Sequence, residues 1–198
     1  MSSILKYVMA VVAVFALLAV SHPIQADTPH EAPMKELATT KVKAWISDPA
    51  IIEAIKAQNT ANAALTEDAI LKLDKQWRAE TKAGSGPLVD KVLNNALSAF
   101  LKKVKADGGG LYTEIFVMDA KGLNVGQSDI TSDYWQGDEA KWQKTYPVGP
   151  GAVHIGKVAQ DESTQKFQSQ LSLPITDPAT GKNIGAITIG VDLEALGI

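Results

Sequence analysis

Thr113-Glu114-Ile115-Phe116-Val117-Met118-Asp119 is the stretch that decides the fold. Its β-branched and aromatic content predicts a strand, and Ala120-Lys121-Gly122 behind it predicts a hairpin turn. Leu123-Asn124-Val125-Gly126-Gln127-Ser128 then reads as the returning strand. A polar segment seeded with aromatics, Asp133-Tyr134-Trp135-Gln136-Gly137-Asp138-Glu139-Ala140-Lys141-Trp142, interrupts the series. Three more strand candidates follow. Residues 153–158 make a short one. In the next, Phe167, Leu171, Leu173 and Ile175 alternate with Gln168, Gln170, Ser172 and Pro174. The turn Asp177-Pro178-Ala179-Thr180-Gly181-Lys182 leads into a nearly all-apolar strand over 184–191. A hairpin, a long insert and a three-stranded return predict a sheet with one side left to the insert. That leaves room for a small ligand.

Upstream of residue 111 the period is helical. Met34, Leu37, Val42 and Trp45 recur at helical spacing over 34–46, and Asp48-Pro49 reads as an N-cap with a first-turn proline. Ile51, Ile52 and Ile55 give the next helix its apolar stripe. Thr66-Glu67-Asp68 opens another, acidic groups suiting its positive end, with Ile70, Leu73 or Leu71, and Trp77 on the buried side. Gly84-Ser85-Gly86-Pro87 breaks the chain. One amphipathic helix is expected over 87–105, closed by Gly108-Gly109-Gly110. Helices first and antiparallel strands after them indicate an α+β domain.

The first residues have the layout of a secretory signal peptide: Lys6, an apolar run over 7–20, then Ser21-His22-Pro23 and a small Ala26. The run is shorter than the ~20 residues of a membrane-spanning helix. An uncleaved anchor is the alternative, and N-terminal sequencing separates the two. The expected organisation is a signal peptide over 1–26, a polar and helical arm over 27–48 and a single domain over 49–198, located in the periplasm. There is no cysteine, hence no disulfide, thiolate metal site or cysteine nucleophile. The net charge of −3 is spread without a basic cluster, which argues against nucleic acid as a partner.

This order of elements resembles the extracytoplasmic PAS-like sensor domains, the PDC or Cache family. The residues carrying the resemblance are 114–122 for the first hairpin, 133–142 for the aromatic connecting segment, and Leu171-Ser172-Leu173-Pro174-Ile175 with residues 181–191 for the closing hairpin. The resemblance implies a five-stranded antiparallel sheet with a long N-terminal helical region packed on one face. It also implies recognition of a small metabolite such as an organic acid or amino acid, and pairing of N-terminal helices in a homodimer. Family members usually run on into a membrane helix and an output module. This chain stops at Ile198, so the expectation is a free-standing sensor domain that signals only through a partner such as a membrane sensor kinase or cyclase.

Within that frame, Tyr134, Trp135, Trp142 and Tyr146 are candidate pocket walls, their hydroxyl and indole groups acting as oriented donors. The alternative is that they pack lid against sheet. Lys144, Gln127, Ser128 and His154 would supply donors to a carboxylate, whereas Asp133 and Asp138 would suit an ammonium group. Gln168, Gln170, Ser172 and Thr188 either line a polar cavity or face water, and a solvated face is the simpler expectation. A lone His154 has no metal-ligand spacing near it. The acids Asp129, Asp133, Asp138 and Glu139 fail the calcium-loop pattern, with Tyr134 in the glycine position and Ala140 in that of the closing glutamate. Gly149-Pro150-Gly151 lacks the lysine-serine ending of a phosphate loop. No serine, histidine and carboxylate set shows a catalytic spacing, so neither an enzyme nor a cofactor is expected. The competing reading is a ligand-free periplasmic interaction or dimerisation protein, using the helix over 87–105 or the arm over 34–46.

Overall fold

The computed structural model describes residues 28–160 and 166–198. The expected leader over 1–26 lies outside the described residues. Helix α1 (Glu31–Thr40) is followed by a single 3-10 turn, Val42–Ala44, and then by α2 (Pro49–Ala61), whose N-cap Asp48 accepts the Ala50 amide. Helix α3 (Glu67–Ala83) is capped by Thr66 through the Ala69 amide and ends at Gly84, whose φ of 84° only glycine adopts at little cost. Of the two leucines left open in the sequence, Leu73 packs inward and Leu71 is exposed.

The single helix expected over 87–105 is two. Helix α4 (Pro87–Leu93) stops before Asn94, and α5 (Ala96–Asp107) restarts with Asn95 as its N-cap. The Asn95 carboxamide accepts the Ser98 amide at 2.8 Å and donates to the Val125 carbonyl at 2.8 Å. That second bond ties the break to the sheet. The first amides of α4 are capped from a distance, since Glu80 Oε2 accepts from the Leu88 and Val89 amides at 2.8 and 2.9 Å.

The sheet comprises β1 (Tyr112–Met118), β2 (Asn124–Gln127), β3 (His154–Ile155), β4 (Ala159–Gln160), β5 (Phe167–Thr176) and β6 (Asn183–Asp192). It is antiparallel throughout, in the order β2-β1-β6-β5-β3, with β4 also on β5. The α+β class and the antiparallel sheet are as expected. Of the strand expected over 153–158 only His154–Ile155 pairs, and the sixth strand, Ala159–Gln160, lies just beyond the expected segment. Between the two pairings, residues 156–158 stand against only Ser169 and Gln170 of β5, which bulges the edge.

One face of the sheet carries the main core. Ile115, Val117, Leu171, Ile175, Ile187, Ile189 and Val191 meet Met34, Leu37 and Val42 of the arm, Ile51, Ile52 and Ile55 of α2, and Leu97 and Leu101 of α5. Two glycines permit this approach. A Cβ on Gly126 would lie 2.8 Å from Leu97 Cγ of α5, and one on Gly185 would lie 3.2 Å from Ile55 Cγ2 of α2 as well as 2.2 Å from the Met118 carbonyl oxygen of β1. Helices α3 and α4 build a second small core beside β2, where Ile70, Trp77, Leu88, Val89 and Val92 enclose Leu123 and Tyr134. Among the described residues, no helix is long and apolar enough to cross a membrane.

Candidate functional site

The other face of the sheet is defined by one transverse row. His154 on β3 pairs with Ser172 on β5, Ser172 with Thr188 on β6, Thr188 with Phe116 on β1, and Phe116 with Gln127 on β2. Residues directly opposite on neighbouring strands share a face, so these five side chains point the same way. Ser172, Thr188 and Gln127 have no exposed surface, and Phe116 is 1% exposed. The Ser172 and Thr188 hydroxyls lie 3.0 Å apart. Sequence periodicity predicted a solvated polar face here. Instead Ser172 and Thr188 are buried, because α6 (Ala140–Gln143) of the insert packs over β5 and β3.

The insert, residues 131–146, covers this face. Trp142 and Tyr146 stack at 5.1 Å between centroids and sit on Phe116, Met118 and Ala186. The Trp142 indole donates to the Asp119 carbonyl at 3.1 Å, and Asn183 Nδ2 donates to the Tyr146 carbonyl at 2.8 Å. Lys141 places its ammonium 5.4 Å from the centre of the Phe116 ring, paired with Glu139 at 2.9 Å. A partly buried cation over a ring face is favourable. Further along the strands, the row Gln170, Gly190 and Glu114 ends the floor, with Gln170 Nε2 donating to Glu114 Oε1 at 2.8 Å.

The structure divides the sequence-predicted residues. Trp142, Tyr146, Gln127 and His154 gather about the row, and Lys144 caps α6 at its exposed C-terminal end. Tyr134 and Trp135 are elsewhere: Tyr134 stacks on Trp77 at 5.5 Å within the α3–α4 core, and the Trp135 indole donates to the Lys121 carbonyl at 2.9 Å. Their role there is packing of insert against helix. Ser128 accepts the Ile115 amide at 2.8 Å and donates to Asp129 at 2.6 Å, extending the β1–β2 pairing. Asp133, a candidate for an ammonium group, is paired with Arg78 at 2.6 Å. Phe116 and Lys141 were not among the predicted site residues, and Ser172 and Thr188 were grouped on one face with a solvated face as the simpler expectation. Period-two patterning does group Phe116, Ser172 and Thr188 by face, and this was the available signal.

At the β2 end lies a buried polar knot. Asn124 Nδ2 donates to Gln127 Oε1 at 3.1 Å, to Thr131 Oγ1 at 2.9 Å and to the Asp133 carbonyl at 3.1 Å. Two of its atoms are buried without a partner, Gln127 Nε2 and Asn124 Oδ1. Leaving such a group unsatisfied costs about 1–3 kcal/mol. At the opposite end, burial and then the charges of Lys144 and Lys141 lower the His154 pKa, so its ring is neutral near pH 7. Burial, reinforced by the Asp119 carboxylate, raises the Tyr146 pKa and keeps its phenol protonated. The face thus carries neutral donors, the Glu139-paired Lys141 ammonium over Phe116 and the Glu114 carboxylate bonded by Gln170, with Lys144 exposed at the end of α6. No group of metal-binding side chains occurs among the described residues.

No family model matches the chain, and no curated protein matches it. Among solved structures, it is similar to the sensor domain of the V. cholerae histidine kinase DctB, with 13% identity and a TM-score of 0.44 over 84% of this chain and 56% of that one. It is also similar to the sensory domain of the Campylobacter jejuni chemoreceptor Tlp3, with 11% identity and a TM-score of 0.40 over 83% and 66% of the two chains. A third is the ligand-binding domain of the Pseudomonas aeruginosa amino-acid chemoreceptor PctC in complex with GABA, with 12% identity and a TM-score of 0.40 over 78% and 62%. The chain spans 56–66% of the length of these three. At such low identity and overlap, its function has to be argued from its own residues.

Proposed function

We propose that this protein is an exported small-ligand binding domain of the sensor type, taking a small polar metabolite between the transverse row and the insert. The observation that carries the reading is the set of buried polar side chains on that face, above all Gln127, which has no exposed surface and no partner for Nε2. A face meant only for packing gains nothing from three polar groups there. In this reading Trp142 and Tyr146 wall the ligand. Gln127, Ser172, Thr188 and His154 offer hydrogen bonds, and Lys141 and Lys144 favour an anionic group such as the carboxylate of an organic acid or amino acid. The signal passes through a membrane partner, a sensor kinase or cyclase.

A thermal-shift screen of the twenty common amino acids and the C2–C5 mono- and dicarboxylic acids tests this. A true ligand at about 100 times its Kd adds about 2.7 kcal/mol of stability. Trp142→Ala and Thr188→Val should each abolish the shift while leaving a cooperative melt. No stabilisation by any compound, or a shift that survives both substitutions, would sink the proposal. The competing reading, a ligand-free interaction protein working through the helix over 87–105 or its arm, is less well supported because Leu88, Val92, Leu97 and Leu101, like Met34, Leu37, Ala38 and Val42, are buried in the chain's own cores.

A further inference from the structure

Three residues on one side of α3 hold the start of the insert. Asp74 is 7% exposed, and its Oδ1 accepts two consecutive amides, Tyr134 at 2.9 Å and Trp135 at 3.0 Å. Its Oδ2 accepts Arg78 Nε at 2.8 Å, and Arg78 Nη1 reaches Asp133 Oδ1 at 2.6 Å. One turn away, the Trp77 indole donates to the Thr131 carbonyl at 2.8 Å. Positions 74, 77 and 78 fall on one helical face, so a single rigid element grips residues 131–135. A buried carboxylate accepting two amides and one guanidinium is a strong, oriented acceptor.

The grip reaches the candidate site through a short relay. Asp133, fastened by Arg78, presents its carbonyl to Asn124 Nδ2 at 3.1 Å, Thr131 Oγ1 at 2.7 Å and Gln136 Nε2 at 2.9 Å. Asn124 and Thr131 in turn contact Gln127 Oε1 at 3.1 and 3.3 Å, which fixes the way the Gln127 carboxamide faces. We propose that Asp74 and Arg78 are positioning residues for the sheet face described above: they hold the insert closed over the row and orient the Gln127 donor without touching the ligand space. The functional weight of this rests on the reading of that face as a ligand site. The mechanical claim does not.

The chain has no cysteine, so single thiols can report opening without a ligand. Ser172→Cys places a thiol in the row, and Ile189→Cys places one in the helix-packed core as a control, both at positions with no exposed surface. Labelling with DTNB should be slow for both in the otherwise unaltered chain. Adding Asp74→Ala should speed labelling of the Ser172→Cys thiol about tenfold and leave the Ile189→Cys thiol nearly unchanged, the sign of local rather than global opening. Arg78→Gln, at a side chain 58% exposed, should act in the same direction by a smaller factor and decides the matter if Asp74→Ala does not fold. Equal acceleration of both thiols would reduce Asp74 and Arg78 to general stabilisers and overturn the proposal. So would an unchanged Ser172→Cys rate, or rapid labelling before any clamp residue is altered. A negative ligand screen leaves this outcome untouched, so the two failures are distinguishable.

Discussion

At the residue scale, His154 carries a pH signature. Burial, then Lys144 and Lys141, depress its pKa in the folded chain, while the unfolded chain protonates near pH ~6.5. Below that pH the unfolded state holds more protons than the folded one, so stability falls as pH falls. Denaturant melts at pH 7.5 and 5.5 should show that loss, and His154→Gln should reduce it. An equal loss in the variant would place its origin elsewhere. Gly185 gives a second test. A methyl there would sit 2.2 Å from a backbone oxygen of the neighbouring strand, so Gly185→Ala should cost at least ~1–3 kcal/mol in a urea melt.

At the element scale, the break between α4 and α5 shows what patterning misses. Leu88/Val89, Val92/Leu93, Leu97, Phe100/Leu101 and Val104 recur at three-to-four spacing, which reads as one helix, yet Leu88, Val89 and Val92 enter the core beside β2 while Leu97 and Leu101 enter the main core. The contrary signal was Asn94-Asn95, poor in helix interiors and favoured at caps. Asn95→Ala should cost about 1 kcal/mol for the cap, and more if the Val125 bond is also felt, measured as a shifted melt. The strands themselves were legible because each alternates or runs apolar between clear turns. What covers Ser172 and Thr188 was not. A period of two states which side chains share a face, but the path of the insert is held by Asp74 and Trp77 at its start and by the Asp119 carbonyl and Asn183 at its end, contacts across sequence that no local pattern encodes.

At the scale of the whole molecule, the same blindness split the aromatic residues. Tyr134, Trp135, Trp142 and Tyr146 look like one cluster in sequence. In space the first two pack toward α3 and the last two toward the sheet, because the insert turns between them. The arm was legible as an amphipathic helix, yet its partner was not. The stripe expected to meet another copy is instead buried beneath the molecule's own sheet. Met34→Ala should therefore cost ~2–5 kcal/mol, and a chain beginning at residue 49 should lose its cooperative melt. A truncated form with unaltered stability and monomer mass would contradict this.

The four tryptophans are unevenly deployed. Trp77, Trp135 and Trp142 all hold or belong to residues 131–146, while Trp45 lies with Tyr112 at the arm. Native ultraviolet emission is therefore weighted toward the insert. Any effector, partner or solvent change that shifts that part should register as a change in colour or brightness, with no dye attached.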